Sequence, residues 1–176
     1  MDKKHSTLQL LVTNSIVAAL YVAVTFLVIS FAFTDMQFRL SEMLNHLVVF
    51  NPNFFWGIVG GVFISNMWSS LGPIDMLFGT LHTALALGVT IFIGKFVKNR
   101  LALMWINTFV FTFSMFIISF QITWIGEFPL KAFFITWGLL AISEFVVMAL
   151  GIPVISWIAK RLPFDKAFDP SFMKQR

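Results

Sequence analysis

The sequence predicts an all-α integral membrane protein, a bundle of six transmembrane helices with both termini in the cytoplasm. Three observations carry that expectation. Of the 176 residues, 59% are hydrophobic and 11% charged, whereas soluble domains carry about 25% charged residues. Several apolar runs reach the roughly 20 residues needed to cross the hydrocarbon core. The alternating segments of about ten residues that mark a membrane β-barrel are absent. The chain reads as one membrane domain, 1–176, with spans at 8–33, 38–50, 52–71, 74–97, 101–124 and 130–160 and a short cytoplasmic tail at 161–176.

Each boundary has a cause. The basic start "MDKKHSTLQLLV" leads into an apolar run that continues to about Phe33. Signal-peptide cores are only about 7–15 residues and end at a small-residue cleavage site, so this run reads as a retained first span. The second run, 38–50, is short by the length rule and is expected to be tilted or enclosed by its neighbours. Asn51-Pro52-Asn53 and Gly72-Pro73 are turn signals that open the third and fourth spans. "KFVKNR" is too charged for hydrocarbon and separates the fourth from the fifth. Gly126-Glu127-Phe128-Pro129 closes the fifth, and Gly151-Ile152-Pro153 is expected to kink the long sixth. The tail "LPFDKAFDPSFMKQR" is expected either to lie on the membrane surface or to be loosely ordered.

Charge sets the orientation. Lys3, Lys4, Lys95, Lys98, Arg100, Lys160, Arg161, Lys166, Lys174 and Arg176 fall at the termini and the 97–101 connection, against Arg39 and Lys131 at the other ends. Positive residues stay inside, which puts both termini in the cytoplasm of a multi-pass protein. Asp35, Glu42, Asp75 and Glu127 lie toward the outer face. The formal charge of +4 follows this asymmetry and gives no reason to expect a nucleic-acid partner.

Ionisable side chains inside a membrane cost about 2.5–3.5 kcal/mol each on insertion scales and therefore face a partner or a cavity. Arg39 and Glu42 share a face at i, i+3, followed by Asn45 and His46. They read either as an internal pair anchoring the second span or as the lining of an outward-facing cavity. Asn66 lies near the outer end of the third span. Asp75, Gly79 and His82 share a face of the fourth, and Asn107, Ser114 and Gln121 one of the fifth. Glu144 lies well inside the sixth and needs a partner, for which Arg39, His82 or a ligand donor are the candidates. In the first span Ser15, Ala19 and Ala23 recur every four residues. Such a row of small residues allows close helix approach, either within the bundle or to a partner subunit.

Much chemistry is excluded. There is no cysteine, hence no disulfide or thiolate site. The nearest approach to a Walker A loop, Gly88 to Gly94-Lys95-Phe96, has one residue too many between its glycines and no Ser or Thr for magnesium. No GxSxG or HExxH motif occurs. The chain is expected not to be an enzyme, and neither a metal site nor a cofactor is expected.

Four stretches, "QFRLSEMLNHLVVFNP", "GIVGGVFISN", "GPIDMLFGTLHT" and "SEFVVMALGIPV", occur in this order and together resemble the QueT family over roughly residues 10–160. These are substrate-binding (S) components of energy-coupling factor (ECF) transporters, associated with uptake of queuosine precursors. The resemblance implies an ECF S-component-like six-helix subunit in the bacterial plasma membrane that captures its ligand from outside. It would then dock on a transmembrane coupling protein, EcfT, driven by two cytoplasmic ECF ATPases that supply the missing P-loop. The row Ser15, Ala19, Ala23 is similar to the Ala-x-x-x-Ala pattern used for that docking.

The implied substrate is a 7-deazaguanine such as preQ0 or preQ1, or queuine, and the implied binding set is Gln37, Arg39, Glu42, Asn66, Asp75, His82 and Glu144. A deazaguanine offers a ring N–H beside an exocyclic amino group, which one carboxylate can accept together. Glu144 or Glu42 suits that edge, with Asn66 and Asp75 supporting and Arg39 holding Glu42. Three departures from the family pattern bear on ligand and pocket shape: Met43 where Ala is usual, Phe145 and Ser143 around Glu144 where Gly-Glu-Ala is usual, and His82 where a small residue is usual. The alternatives are an S component for another vitamin or cofactor, or a small membrane enzyme or proton-linked channel using Glu144, Asp75 and His82.

Overall fold

The computed structural model describes residues 3–28, 38–69 and 72–168, with side chains from residue 7 onward. Gln37 and Asp35 lie outside the described residues. Six α-helices are present: α1 (Lys3–Leu27), α2 (Phe55–Ser65), α3 (Pro73–Ile93), α4 (Arg100–Ser114), α5 (Phe116–Ile125) and α6 (Leu130–Ala159). A ten-residue 3-10 helix, Leu40–Val49, follows α1, and short 3-10 turns flank α2 at Pro52–Phe54 and Asn66–Trp68. No strand occurs among the described residues.

Among the described residues, four stretches are long and apolar enough to cross a membrane: Thr7–Leu27, Pro73–Ile93, Arg100–Ile125 and Leu130–Ala159. The expected spans 38–50 and 52–71 fold differently from ordinary spanning helices. At about 2 Å per residue, the ten-residue 3-10 helix covers roughly 20 Å, short of a hydrocarbon core of about 30 Å. It does not need that length, because it is enclosed. It packs against α1, α2, α3, α4 and α6 and buries Ser41, Glu42, Leu44, Asn45, His46, Leu47 and Val48. Its two ends nevertheless lie at opposite ends of the bundle. Arg39 meets Asp75 at the start of α3, while Phe50 lies beneath the Arg100 guanidinium at the start of α4.

The α1–α2 contact is a small-residue seam. A Cβ on Gly57 would stand 2.7 Å from the Asn14 carbonyl, and one on Gly61 2.7 Å from the Tyr21 Cβ. This Gly-x-x-x-Gly spacing lets the two backbones meet, and the Gly57 N–H donates to Asn14 Oδ1 at 2.7 Å. The inward face of α1 is therefore Asn14, Val17, Tyr21 and Thr25, while Ser15, Ala19 and Ala23 are exposed. Packing within the bundle is thus not what the small row in α1 serves.

The expected fifth span is interrupted at Met115, between α4 and α5. Backbone groups freed inside a membrane need local partners. Ser114 Oγ donates to the Phe111 carbonyl at 3.0 Å and Trp137 Nε1 to the Phe113 carbonyl at 3.1 Å. In α6 the helix runs on through Pro153. The proline ring crowds the turn before it, and there the Met148 carbonyl takes a hydrogen bond from His46 Nε2 at 2.9 Å.

As far as Phe168 the tail packs against the bundle rather than being loosely ordered. It folds under the Arg100 end of the bundle, with Phe168 and Phe164 edge-on to Phe54 at 4.9 and 5.8 Å. Gln9 Nε2 donates to the Ala167 carbonyl at 3.1 Å, Asn51 Nδ2 to the Asp165 carbonyl at 3.2 Å, and Arg100 pairs with Asp165 at 2.9 Å. Apolar burial plus satisfied backbone carbonyls hold a segment whose composition alone suggests none of this.

Candidate functional site

Buried polar groups converge from six elements at the Arg39 end of the bundle. In a 3-10 helix residues three apart eclipse, so Glu42 and Asn45 stand in one row. The Asn45 amide Nδ2 donates to Glu42 Oε2. From α1, the Tyr21 hydroxyl donates to Glu42 Oε1 at 2.6 Å. The Glu42 carboxylate is thus held by Tyr21 and Asn45.

Arg39 does not hold Glu42, contrary to the sequence expectation. Its guanidinium donates to Asn66 Oδ1 at 2.8 Å and forms an ion pair with Asp75 at 3.5 Å. Asn66 Nδ2 reaches the Asp75 carbonyl at 3.4 Å, and Gln121 Nε2 donates to Asp75 Oδ1 at 3.0 Å. The reason is directional. Arg39 precedes the 3-10 helix with extended backbone (φ −105°, ψ 99°), so it leaves the row and reaches across to α3. Arg39, Asn66, Asp75 and Gln121 therefore form one cluster, with Glu42, Tyr21 and Asn45 a second beside it.

Glu144 lies buried on α6 within electrostatic reach of Glu42 and Arg39. Its Oε1 meets no hydrogen-bond partner, and Glu144 makes no ion pair among the described residues. His82, its other candidate partner, turns instead to Ser114, whose Oγ stands 2.9 Å from Nε2. Since Ser114 donates to the Phe111 carbonyl, it accepts from the imidazole N–H. Neither Arg39 nor His82 is hydrogen-bonded to Glu144 among the described residues.

The stripe Asn107, Ser114, Gln121 turns inward along its length and each member meets a different partner. Asn107 accepts from Thr90 Oγ1 at 2.7 Å and donates toward the Asn45 carbonyl and His46 Nδ1, both at 3.2 Å. With Nε2 donating to Met148 and Nδ1 accepting from Asn107, His46 is a neutral cross-brace. No group of three or more His, Cys, Asp or Glu that could hold a metal occurs among the described residues.

Buried polar atoms without a hydrogen-bond partner include Asn45 Oδ1, Gln121 Oε1, Glu144 Oε1 and the Ser143 hydroxyl, while Asp75 Oδ2 faces only the Arg39 guanidinium. The amide orientations follow from the network, because both –NH2 groups face carboxylates. Three carboxylates, Glu42, Asp75 and Glu144, surround one guanidinium. Unsatisfied buried acceptors are costly, and this arrangement suits a ligand rich in N–H donors.

Sequence reasoning missed Tyr21 and Thr25. Thr25 lies 2.7 Å from Ser41 Oγ and bridges α1 to the 3-10 helix. A signal existed for Tyr21: it is the single tyrosine in a chain with 23 Phe, and a hydroxyl kept inside an apolar span calls for an acceptor.

Residues 11–160 match the family model described as QueT transporter. The "Queuosine precursor transporter QueT" of Lactococcus lactis subsp. cremoris (strain MG1363) is 33% identical over 174 residues, covering 93% of this chain and 99% of that protein. No solved structure matches. With its membrane-crossing helices and buried polar cluster, the chain belongs to the QueT transporter family.

Proposed function

We propose that the chain is the substrate-capture subunit of an ECF-type importer and binds a queuosine precursor, a 7-deazaguanine such as preQ0 or preQ1, or queuine, from outside the cell. The observation that carries this reading is the set of buried acceptors without a hydrogen-bond partner on Glu144, Asn45 and Gln121. A deazaguanine supplies a ring N–H and an amino group to one carboxylate, the role this reading gives to Glu144 or Glu42, and a further ring N–H to a neighbouring acceptor. The name of the Lactococcus relative supports the substrate class. Sites built on such donors reject analogues that leave a buried acceptor unpaired.

In this reading the chain crosses the membrane six times as one domain, with both termini cytoplasmic. The 3-10 helix and α2 serve as enclosed passes, which is supported by the placement of their ends. From Arg39 the 3-10 helix descends to Phe50 beside Arg100, and α2 returns the chain to Asn66 beside Arg39. The exposed row Ser15, Ala19, Ala23 is the docking face for a transmembrane coupling protein, EcfT, coupled to two cytoplasmic ATPases. Gln37, next to Arg39 in sequence, completes the binding set.

The test uses the purified full chain in detergent. Mass spectrometry of any co-purified small molecule, followed by titration with deazapurines and with vitamins, is expected to give saturable binding of a deazaguanine alone. Binding of a vitamin instead would move the chain to another S-component specificity. Uptake by cells expressing this chain without the coupling module would overturn the ECF assignment.

A further inference from the structure

At the end of the bundle opposite the Arg39–Asp75 pair, a cleft of about 300 Å³ opens between the foot of the 3-10 helix and the connection from α3 to α4. Its floor is apolar, with Val48, Ile91 and Leu103, and Lys95 and Lys98 stand at its edge. Neither lysine has a carboxylate partner among the described residues, since Asp165 is taken by Arg100 at 2.9 Å. The outer side of the same corner is greasy. Phe92 and Phe96 are exposed and packed edge-on at 5.5 Å, and the Lys95 ammonium lies 5.7 Å from the Phe92 ring centre. Two cations therefore line a cleft beside an exposed aromatic surface, a setting in which lysine stems cover apolar ground while their charged heads reach outward.

We propose that this cleft seats the phosphodiester headgroup of an anionic phospholipid. Lys95 and Lys98 pair with the phosphate, the glycerol region covers the apolar floor, and the acyl chains continue along the Phe92–Phe96 face. Basic pockets between helices on the cytoplasmic side suit such headgroups. A free phosphate ion would meet the same charges but gain nothing from Val48, Ile91 and Leu103. A zwitterionic headgroup would bring its ammonium against two lysines. The site lies at the far end of the bundle from the polar cluster, so the proposal does not depend on the ligand assigned there.

The experiment uses the full chain in neutral detergent, with native mass spectrometry and thermal melting read in parallel. Phosphatidylglycerol or cardiolipin is expected to remain bound and raise the melting temperature, phosphatidylcholine not. At about 1 kcal/mol per lysine, the K95Q/K98Q variant is expected to bind phosphatidylglycerol about thirtyfold more weakly. Its melting without lipid is expected to be unchanged, because both side chains are exposed. Equal lipid retention by the variant would overturn the proposal. So would equal protection of the wild type by millimolar inorganic phosphate, which would make this a free-anion site. A variant that keeps its lipid but loses uptake would reassign the cleft to a protein partner.

Discussion

Replacing Glu144 by Gln is expected to weaken ligand capture while leaving the ligand-free bundle at least as stable. Glu144 Oε1 is buried without a hydrogen-bond partner. An unsatisfied buried acceptor costs about 1–3 kcal/mol. The isosteric amide replaces the carboxyl group without opening a cavity. With ligand present the balance reverses. A charge-assisted hydrogen bond is worth about 1.5–3 kcal/mol, and the new –NH2 points a donor at a donor. A loss of about 2 kcal/mol corresponds to roughly thirtyfold weaker binding. Calorimetric titration with the identified precursor gives the affinity, and ligand-free melting in the same detergent gives the stability. Affinity within twofold of wild type would refute the role of Glu144. A clear drop in ligand-free melting would show that the carboxylate supports the fold rather than awaiting a donor.

Three further outcomes test other parts of the architecture. Ala19→Trp adds bulk to the exposed row of α1 and is expected to preserve ligand binding but abolish uptake in cells carrying the coupling module; normal uptake would rule out this docking face. Asn107→Ala removes hydrogen bonds to Thr90, Asn45 and His46. At an average of about 0.6 kcal/mol each inside a membrane, it is expected to lower stability by about 2 kcal/mol in a denaturing-detergent titration, and an unchanged midpoint would contradict the brace. Gly61→Ala places a methyl 2.7 Å from the Tyr21 Cβ and is expected to cost about 1–3 kcal/mol through overpacking. It should also weaken ligand binding by displacing the Tyr21 hydroxyl from Glu42; full affinity would separate the seam from the site.

The inward turn of several polar residues was legible because helical spacing is local. Asp75 and His82, and likewise Asn107, Ser114 and Gln121, turn inward as their periodicity requires. The pairings were less legible. Arg39 three residues before Glu42 suggests a local pair, yet Arg39 reaches Asn66 and Asp75 across the chain, and Tyr21 takes Glu42. Nothing in a sequence window reports which distant acceptor lies opposite a guanidinium whose backbone has already left the helix.

By itself, the sequence determined that this chain lives in a membrane, which long apolar runs form helices, and which polar residues must be sheltered. Those follow from composition, apolar run length and the cost of polar groups in hydrocarbon. Tertiary structure alone decided that residues 40–49 form a narrow enclosed 3-10 rod, that Gly57 and Gly61 draw α1 against α2, and that the tail to Phe168 closes the Arg100 end. It also decided that Glu144 is left with an unpartnered oxygen. Transfer energies act residue by residue and can be read along a chain, whereas hydrogen bonds are directional and depend on which groups the fold brings face to face.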